Sequence, residues 1–243
     1  MHIIKLNATD STNQYLKNLL LIKPVEDFTI VVAEEQTKAR GQMGTSWQSD
    51  VGKNLTFSVL KRLGEFPVQN QYYLNITVSL AVYAFLKALQ VPNLSIKWPN
   101  DILSGSQKIC GILIENTLQG QLIKTSIIGI GLNVNQTDFH NLFNATSLKL
   151  LLGEKYNLED LLYRLLEELD YYFKLLKSNS FKILENAYLD VLFLKGKISK
   201  FQEINNETFN ATIVGVSYEG RLILQLQDGM LKEYNLKEIK LLY

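Results

Sequence analysis

The chain has 243 residues, 47% hydrophobic and 20% charged, enough for one large domain or a large one with a small companion. With 25 basic and 24 acidic residues there is no basic excess to mark a nucleic-acid partner, and the single Cys110 excludes an intrachain disulfide. No apolar run approaches a membrane span and the first residues lack signal-peptide organisation, so no membrane association and a cytoplasmic location are expected.

In chain order, Asp10-Ser11-Thr12-Asn13-Gln14 reads as a helix start, with Ser11 and Gln14 spaced for a capping box and Tyr15, Leu16, Leu19 and Leu20 behind it as the apolar face. A plain cap and a ligand-binding helix start, with free N–H groups beside the Ser11 and Thr12 hydroxyls, both fit these residues. Residues 29–33 form an apolar strand run and 55–62 a second one. The loop between them, 34–54, is too long for a hairpin turn and carries Gly41, Gly44, Gly52, Lys38, Arg40, Lys53 and Trp47; taken alone, it fits a disordered surface loop as well as a binding loop.

A buried helix is expected over 69–90, from Leu74, Val78, Ala81, Val82, Phe85 and Leu89, and ends at Pro92. Residues 94–135 read as three short strands joined by tight turns at Pro99-Asn100-Asp101, Ser104-Gly105-Ser106-Gln107 and 118–121, hence antiparallel, with both preceding helices on one face. This is an α+β layout: a mixed, mainly antiparallel sheet covered by helices. His140 sits in a polar loop as surface. An amphipathic helix is expected over 158–177 with a solvated acidic face, and another over 181–194. Composition shifts at 195–197, and about five short strands follow, the pattern of a small β-barrel; the expected division is residues 1–194 and 195–243.

Five polar clusters recur in order: Asp10-Ser11-Thr12-Asn13; the 34–54 loop; Lys97-Trp98-Pro99-Asn100-Asp101; Lys108 to Glu115 with Cys110-Gly111; and Gly129-Ile130-Gly131-Leu132-Asn133. The Gly129-x-Gly131 pair is no dinucleotide fingerprint, and Gly41-x-x-Gly44 is no P-loop, since no Gly-Lys-Ser/Thr follows. The set resembles the biotin protein ligases, which implies a class II synthetase-like catalytic domain followed by an SH3-like barrel. The resemblance also implies the reaction: biotin and ATP with Mg²⁺ form biotinyl-AMP, and the acyl group then passes to a lysine of a biotin carboxyl carrier domain. No metal-ligand motif is needed, because Mg²⁺ is held mainly by phosphates.

The resemblance assigns roles. Ser11, Thr12, Asn13 and Gln36 contact biotin, whose uncharged ureido head suits neutral donors and acceptors. Arg40, Gly41 and Gln42 belong to the loop that covers the adenylate, and Trp47 packs over the ligand. Lys108 bridges carboxylate and α-phosphate, the Gly111 backbone touches the biotin rings, and Asn100 and Asp101 lie beside the phosphates. Asp101 steers or deprotonates the acceptor lysine, and Asn133 falls near the nucleotide. Gln42 stands where relatives carry an arginine, and Ala39 where they carry glycine. The barrel serves as support or as an accessory in nucleotide closure or acceptor docking, and a homodimer is left open. Starting almost at the first motif, the chain is expected to lack the DNA-reading element of repressor-type relatives. A lipoate or octanoate ligase of similar fold and a non-catalytic biotin or nucleotide sensor are the rival readings.

Overall fold

A computed structural model describes residues 2–140, 142 and 144–243. The chain begins with β1 (His2–Thr9), α1 (Thr12–Ile22), β2 (Thr29–Gln36), β3 (Leu55–Pro67) and α2 (Gln71–Ala88). Four strands follow, β4 (Leu94–Lys97), β5 (Asp101–Ser104), β6 (Gln107–Gln119) and β7 (Leu122–Leu132), then α3 (Leu148–Leu152), α4 (Leu158–Lys177) and α5 (Phe181–Asp190). The last stretch is all strand: β8 (Ile198–Glu203), β9 (Thr208–Val216), β10 (Leu222–Leu226), β11 (Leu231–Tyr234) and β12 (Ile239–Leu242). Among the described residues no helix is long and apolar enough to cross a membrane.

The first seven strands form one sheet in the order β1-β2-β3-β7-β6-β5-β4, in which only β1 and β2 run parallel. The mixed, mainly antiparallel α+β expectation holds. Two details differ. β1 went unread because it is an edge strand, half in solvent, without apolar alternation. Residues 94–132 hold four strands rather than three, because the short Asp101–Ser104 stretch pairs with both neighbours.

The two early helices lie on opposite faces of the sheet, which corrects the one-face expectation. Ile30, Val59 and Ile128 join the main core with α2, while their chain neighbours Val31, Leu60 and Ile127 join a second cluster with Leu16 of α1 and Val25. Adjacent strand residues point to opposite faces. Runs such as Ile30-Val31 and Val59-Leu60 are therefore apolar throughout because both faces are covered.

α2 is buried nearly all round, between the sheet on one side and α4 and α5 on the other. α4 turns Leu161, Leu162, Leu165, Leu166, Leu169 and Phe173 inward. Its start is capped by Asn157, whose side chain accepts from the Glu159 and Asp160 N–H groups.

The last five strands form an antiparallel sheet in the order β11-β10-β9-β8-β12. Its inner residues Phe201, Ile213, Leu222 and Leu224 join the same apolar cluster as α2 and the large sheet. Trp98 Nε1 donates to the Gly220 carbonyl at 2.9 Å, Tyr218 Oη donates to Asn70 Oδ1, and Gly220 lies against the Tyr72 ring.

Gly220 has φ +86°, and a Cβ there would come within 2.8 Å of Tyr72 Cδ2. Gly220→Ala is expected to cost about 1–3 kcal/mol through the left-handed backbone and overpacking of a buried ring. Denaturant unfolding of the full chain measures it, and unchanged stability would mean that the β9–β10 turn does not pack against Tyr72 of α2.

Candidate active site

One cavity of about 350 Å³ opens on the sheet face that carries α1. Its floor is glycine. In the register of β6 with β7, Gly111 pairs with Gly131 and Leu113 with Gly129. A Cβ at Gly129 would lie 2.6 Å from Asn13 Oδ1, and one at Gly131 2.5 Å from the Trp47 indole. At Gly111 it would lie 3.0 Å from Trp47 Cζ3. Each glycine leaves room for a polar or aromatic group drawn down onto the strands.

At one end is a neutral cluster. The Thr12 N–H and hydroxyl both point at Gln36 Oε1, at 2.8 and 3.2 Å. Ser58 Oγ lies 2.6 Å from Thr12 Oγ1 and 2.5 Å from Asn13 Oδ1. Asn13 Nδ2 donates to Glu115 Oε2 at 2.7 Å. The expected capping box is only half formed. Ser11 Oγ accepts from the Gln14 N–H at 3.5 Å, but the Gln14 side chain turns outward, donating to Asn18 Oδ1 and accepting from Arg40. Gln36 instead satisfies the first helical amide, that of Thr12.

Glu115 joins this cluster to the loop. Its Oε1 lies 2.6 Å from Lys17 Nζ and 3.5 Å from Arg40 Nη2. Burial pushes the Glu115 carboxyl up, but hydrogen bonds from Lys17 and Asn13 and the charges of Lys17 and Arg40 outweigh burial and hold it below its ordinary value.

At the other end the groups are charged. Lys108 Nζ meets Asp101 Oδ1 at 2.6 Å and lies 5.8 Å from the centre of the Trp47 ring. Asn100 is buried and donates to the Ile112 carbonyl at 2.7 Å, tying the Trp98-Pro99-Asn100 turn to β6. Lys97, at the end of β4, also faces the cavity. The charged residues lining the cavity are Arg40, Lys97, Lys108 and Lys240 against one carboxylate, Asp101.

The loop is tied at both ends. At its start, the Thr37 and Lys38 N–H groups donate to the Thr9 and Asp10 carbonyls. At its end, buried Asn54 holds Ser49 and Gln136 and accepts from the Val134 N–H. Between these ties the chain doubles back around a 3-10 turn at Gln42–Gly44, with the Gly41 N–H on the Thr45 carbonyl and the Trp47 N–H on the Ala39 carbonyl. This fold lowers the Trp47 indole onto the glycine floor. Its Nε1 is buried without a partner among the described residues.

Ser11, Thr12, Asn13, Gln36, Arg40, Gly41, Gln42, Trp47, Asn100, Asp101, Lys108 and Gly111 therefore all line one cavity. Asn133 does not. It is buried one residue past the end of β7, donating from Nδ2 to the Thr146 carbonyl at 2.9 Å, and so braces a neighbouring segment. Sequence reasoning gave no role to Ser58, Glu115 or Lys97, or to the β12 residues Ile239, Lys240 and Leu241 that form one wall. Ser58 had a readable signal, a hydroxyl inside an apolar strand run. The β12 residues had none, because their place depends on a contact made across the whole chain.

Two outcomes follow. In a Trp98→Phe background, Gly131→Ala is expected to lift Trp47 off the floor and shift its fluorescence to the red; unchanged emission would place the indole elsewhere. Glu115, with its folded pKa below the unfolded value, adds stability that is complete above the unfolded pKa of about 4.3 and lost as pH falls through the folded value. The stability gap between wild type and Glu115→Gln in urea should narrow on acidification towards pH 3. A gap independent of pH would rule out the clasp.

The sequence profile of the Biotin/lipoate A/B protein ligase family matches residues 6–133. The bifunctional ligase/repressor BirA of Bacillus spizizenii is 30% identical over 238 residues, covering 96% of this chain and 72% of that protein. The biotin--[acetyl-CoA-carboxylase] ligase of Mycobacterium tuberculosis is 34% identical over 125 residues, 50% of this chain and 45% of that one. Among solved structures, the Aquifex aeolicus biotin protein ligase in complex with biotin and ATP superposes with a TM-score of 0.83 at 29% identity, covering 99% of this chain and 98% of that one. The match over more than half the chain, together with full-length likeness in sequence and structure, places this protein in the biotin/lipoate A/B protein ligase family, among its biotin protein ligases.

Proposed function

We propose that this chain activates biotin with ATP as biotinyl-AMP and transfers it to a lysine of a biotin carboxyl carrier domain. The observation that carries this reading is the division of one cavity into a neutral polar end and a cationic end. Thr12, Asn13, Gln36 and Ser58 offer uncharged donors and acceptors already held by one another. A cyclic urea can exchange hydrogen bonds with them without leaving a buried charge unpaired. Lipoyl has no such group, so for it the same cluster would be a cost. At the far end Lys108 suits the carboxylate and the α-phosphate it attacks.

The acceptor step fits the same cavity. Asp101 is ion-paired with Lys108 in this structure, and in this reading it steers or deprotonates the incoming lysine once a phosphate engages Lys108. A nucleophilic side chain is not needed, because carboxylate and amine attack directly; the chain supplies positioning and charge. With Asp101 as the one carboxylate among the lining residues, the donor set fits a magnesium ion carried mainly on nucleotide phosphates. Such an ion would neutralise phosphate charge. The Mycobacterium tuberculosis relative is named for acetyl-CoA carboxylase, and the carrier domain of a carboxylase of that kind is the acceptor we propose here.

The deciding assay is biotin-dependent exchange of labelled pyrophosphate into ATP with Mg²⁺, run beside lipoate. Exchange with biotin alone is expected; exchange with lipoate alone would overturn the reading of the neutral cluster. Lys108→Ala should lower the adenylation rate by about 10²–10³-fold, the usual loss when one transition-state contact is removed. Gln42 lines the cavity at the loop position where the family resemblance makes an arginine common, and can donate a hydrogen bond but no charge. Biotinyl-AMP should therefore leave wild type faster than Gln42→Arg; equal or slower release would assign no such role to the position.

A further inference from the structure

We propose that Lys97 is a pyrophosphate-binding residue, seated by the ring of Tyr243, which holds the Lys97 ammonium towards the cavity end where Lys108 and Asp101 meet. The inference rests on the adenylating reading above and extends it to the phosphates beyond the α position.

Lys97 is the last residue of β4 and pairs across the Trp98-Pro99-Asn100 turn with Asp101. This hairpin fixes its backbone within one residue pair of the proposed reacting groups. Its side chain is half-buried and lines the cavity. Asp101 is the acid nearest in register, but its carboxylate is engaged by Lys108 at 2.6 Å. Among the described residues the Lys97 ammonium makes no ion pair. It lies instead 4.6 Å from the centre of the Tyr243 ring, and that ring packs edge-on against Phe193 at 5.2 Å. Burial pushes the ammonium's pKa down, Asp101 opposes this, and Lys108 adds to it.

A cation stripped of part of its water, with one aromatic face and no carboxylate, is an incomplete site. It is completed by an anion. Lys97 and Lys108 together carry two positive charges against one negative, so an anionic ligand relieves the repulsion between them. A face-on ring attracts the ammonium without neutralising it, so its charge stays available to the ligand. Lys240 also lines the cavity, but it is exposed on β12 and free to move, whereas Lys97 is fixed by the hairpin and the ring.

The chemistry says which anion. When the biotin carboxylate oxygen bonds to the α-phosphorus, the bond from that phosphorus to the oxygen bridging to the β-phosphate breaks. That oxygen leaves with the electron pair, and negative charge grows on pyrophosphate. Lys108 serves the α-phosphate and the incoming carboxylate; a second ammonium beside it serves the leaving group. Tyr243 touches no reacting atom and acts as a positioning residue, which brings the end of the small C-terminal sheet into the first half-reaction.

The test separates the half-reactions. Lys97→Met should raise the pyrophosphate concentration for half-maximal exchange by about ten- to a hundredfold, the size of one lost charge-assisted hydrogen bond. It should weaken calorimetric binding of inorganic pyrophosphate to a similar degree, and slow transfer from pre-made biotinyl-AMP much less. Lys97→Arg should recover part of the loss. Tyr243→Leu should shift the same pyrophosphate dependence in the same direction, but less. Equal losses in both half-reactions, or pyrophosphate binding unaltered in Lys97→Met, would overturn the proposal; a transfer-only defect would move Lys97 to the acceptor step and also overturn it. If wild type supports no exchange with any acid, the adenylating reading fails, while calorimetry with inorganic pyrophosphate still decides whether Lys97 binds it.

Discussion

The site depends on the register of β6 against β7. Gly111 opposite Gly131, with Gly129 two residues away, puts bare backbone on one face while Ile112, Ile128 and Ile130 occupy the other. A slip of one residue would exchange the faces, placing isoleucines in the cavity and glycines in the core. Burial on both sides therefore fixes the register and the floor together. The same face carries Ile127 under α1, so α1 covers one part of it and the loop covers the rest. The depth gained at the glycines is taken up by Asn13 and Trp47, drawn closer to the strands than any side chain would allow.

On that floor the electrostatics divide. The end nearest the start of α1 is uncharged and saturated with internal hydrogen bonds, which rigidify its donors and acceptors before a ligand arrives. The opposite end holds an excess of ammonium groups over carboxylates, an arrangement that is unfavourable alone and favourable once an anion enters. Glu115 lies on the far side of the neutral cluster from Lys108, opposite Ile127 on β7, and fastens the loop cation Arg40 to Asn13 beside Lys17. In the reaction we propose, binding of a neutral head and stabilisation of a developing negative charge come from different residues, which lets each be tuned separately.

The small C-terminal sheet shares its inner apolar residues with the large one and also closes one wall of the cavity. Trp98 makes the link concrete: it belongs to the turn carrying Asn100 and Asp101, and its indole N–H is spent on Gly220 of the second sheet. The turn that presents the charged residues is therefore held from both sides, by Asn100 on β6 and by Trp98 on the distant strands. These contacts make the C-terminal strands a support for that turn.

Much of this was legible in the residues. Apolar runs and turn residues determined the antiparallel succession of β4, β6 and β7, helical spacing determined α2 and α4, and the ordered polar clusters marked most cavity residues up to Gly131 but none of those after it. Local patterns suffice there because each depends on neighbours a few positions apart. What only the tertiary structure decided was which face each element covers and what meets across long separations. β1 escaped because an edge strand needs no alternation, and α1 and α2 were put on one face because a doubly buried strand shows the same apolar run whichever side a helix takes. Asn133 has the parity of the glycine pair, but it lies one residue past the end of β7, where its side chain turns to the Thr146 carbonyl instead of the cavity. Ser58, Glu115 and Lys97 acquire their roles from partners 46, 102 and 146 positions away, namely Thr12, Asn13 and Tyr243. Such partners are chosen by packing, which no local pattern encodes.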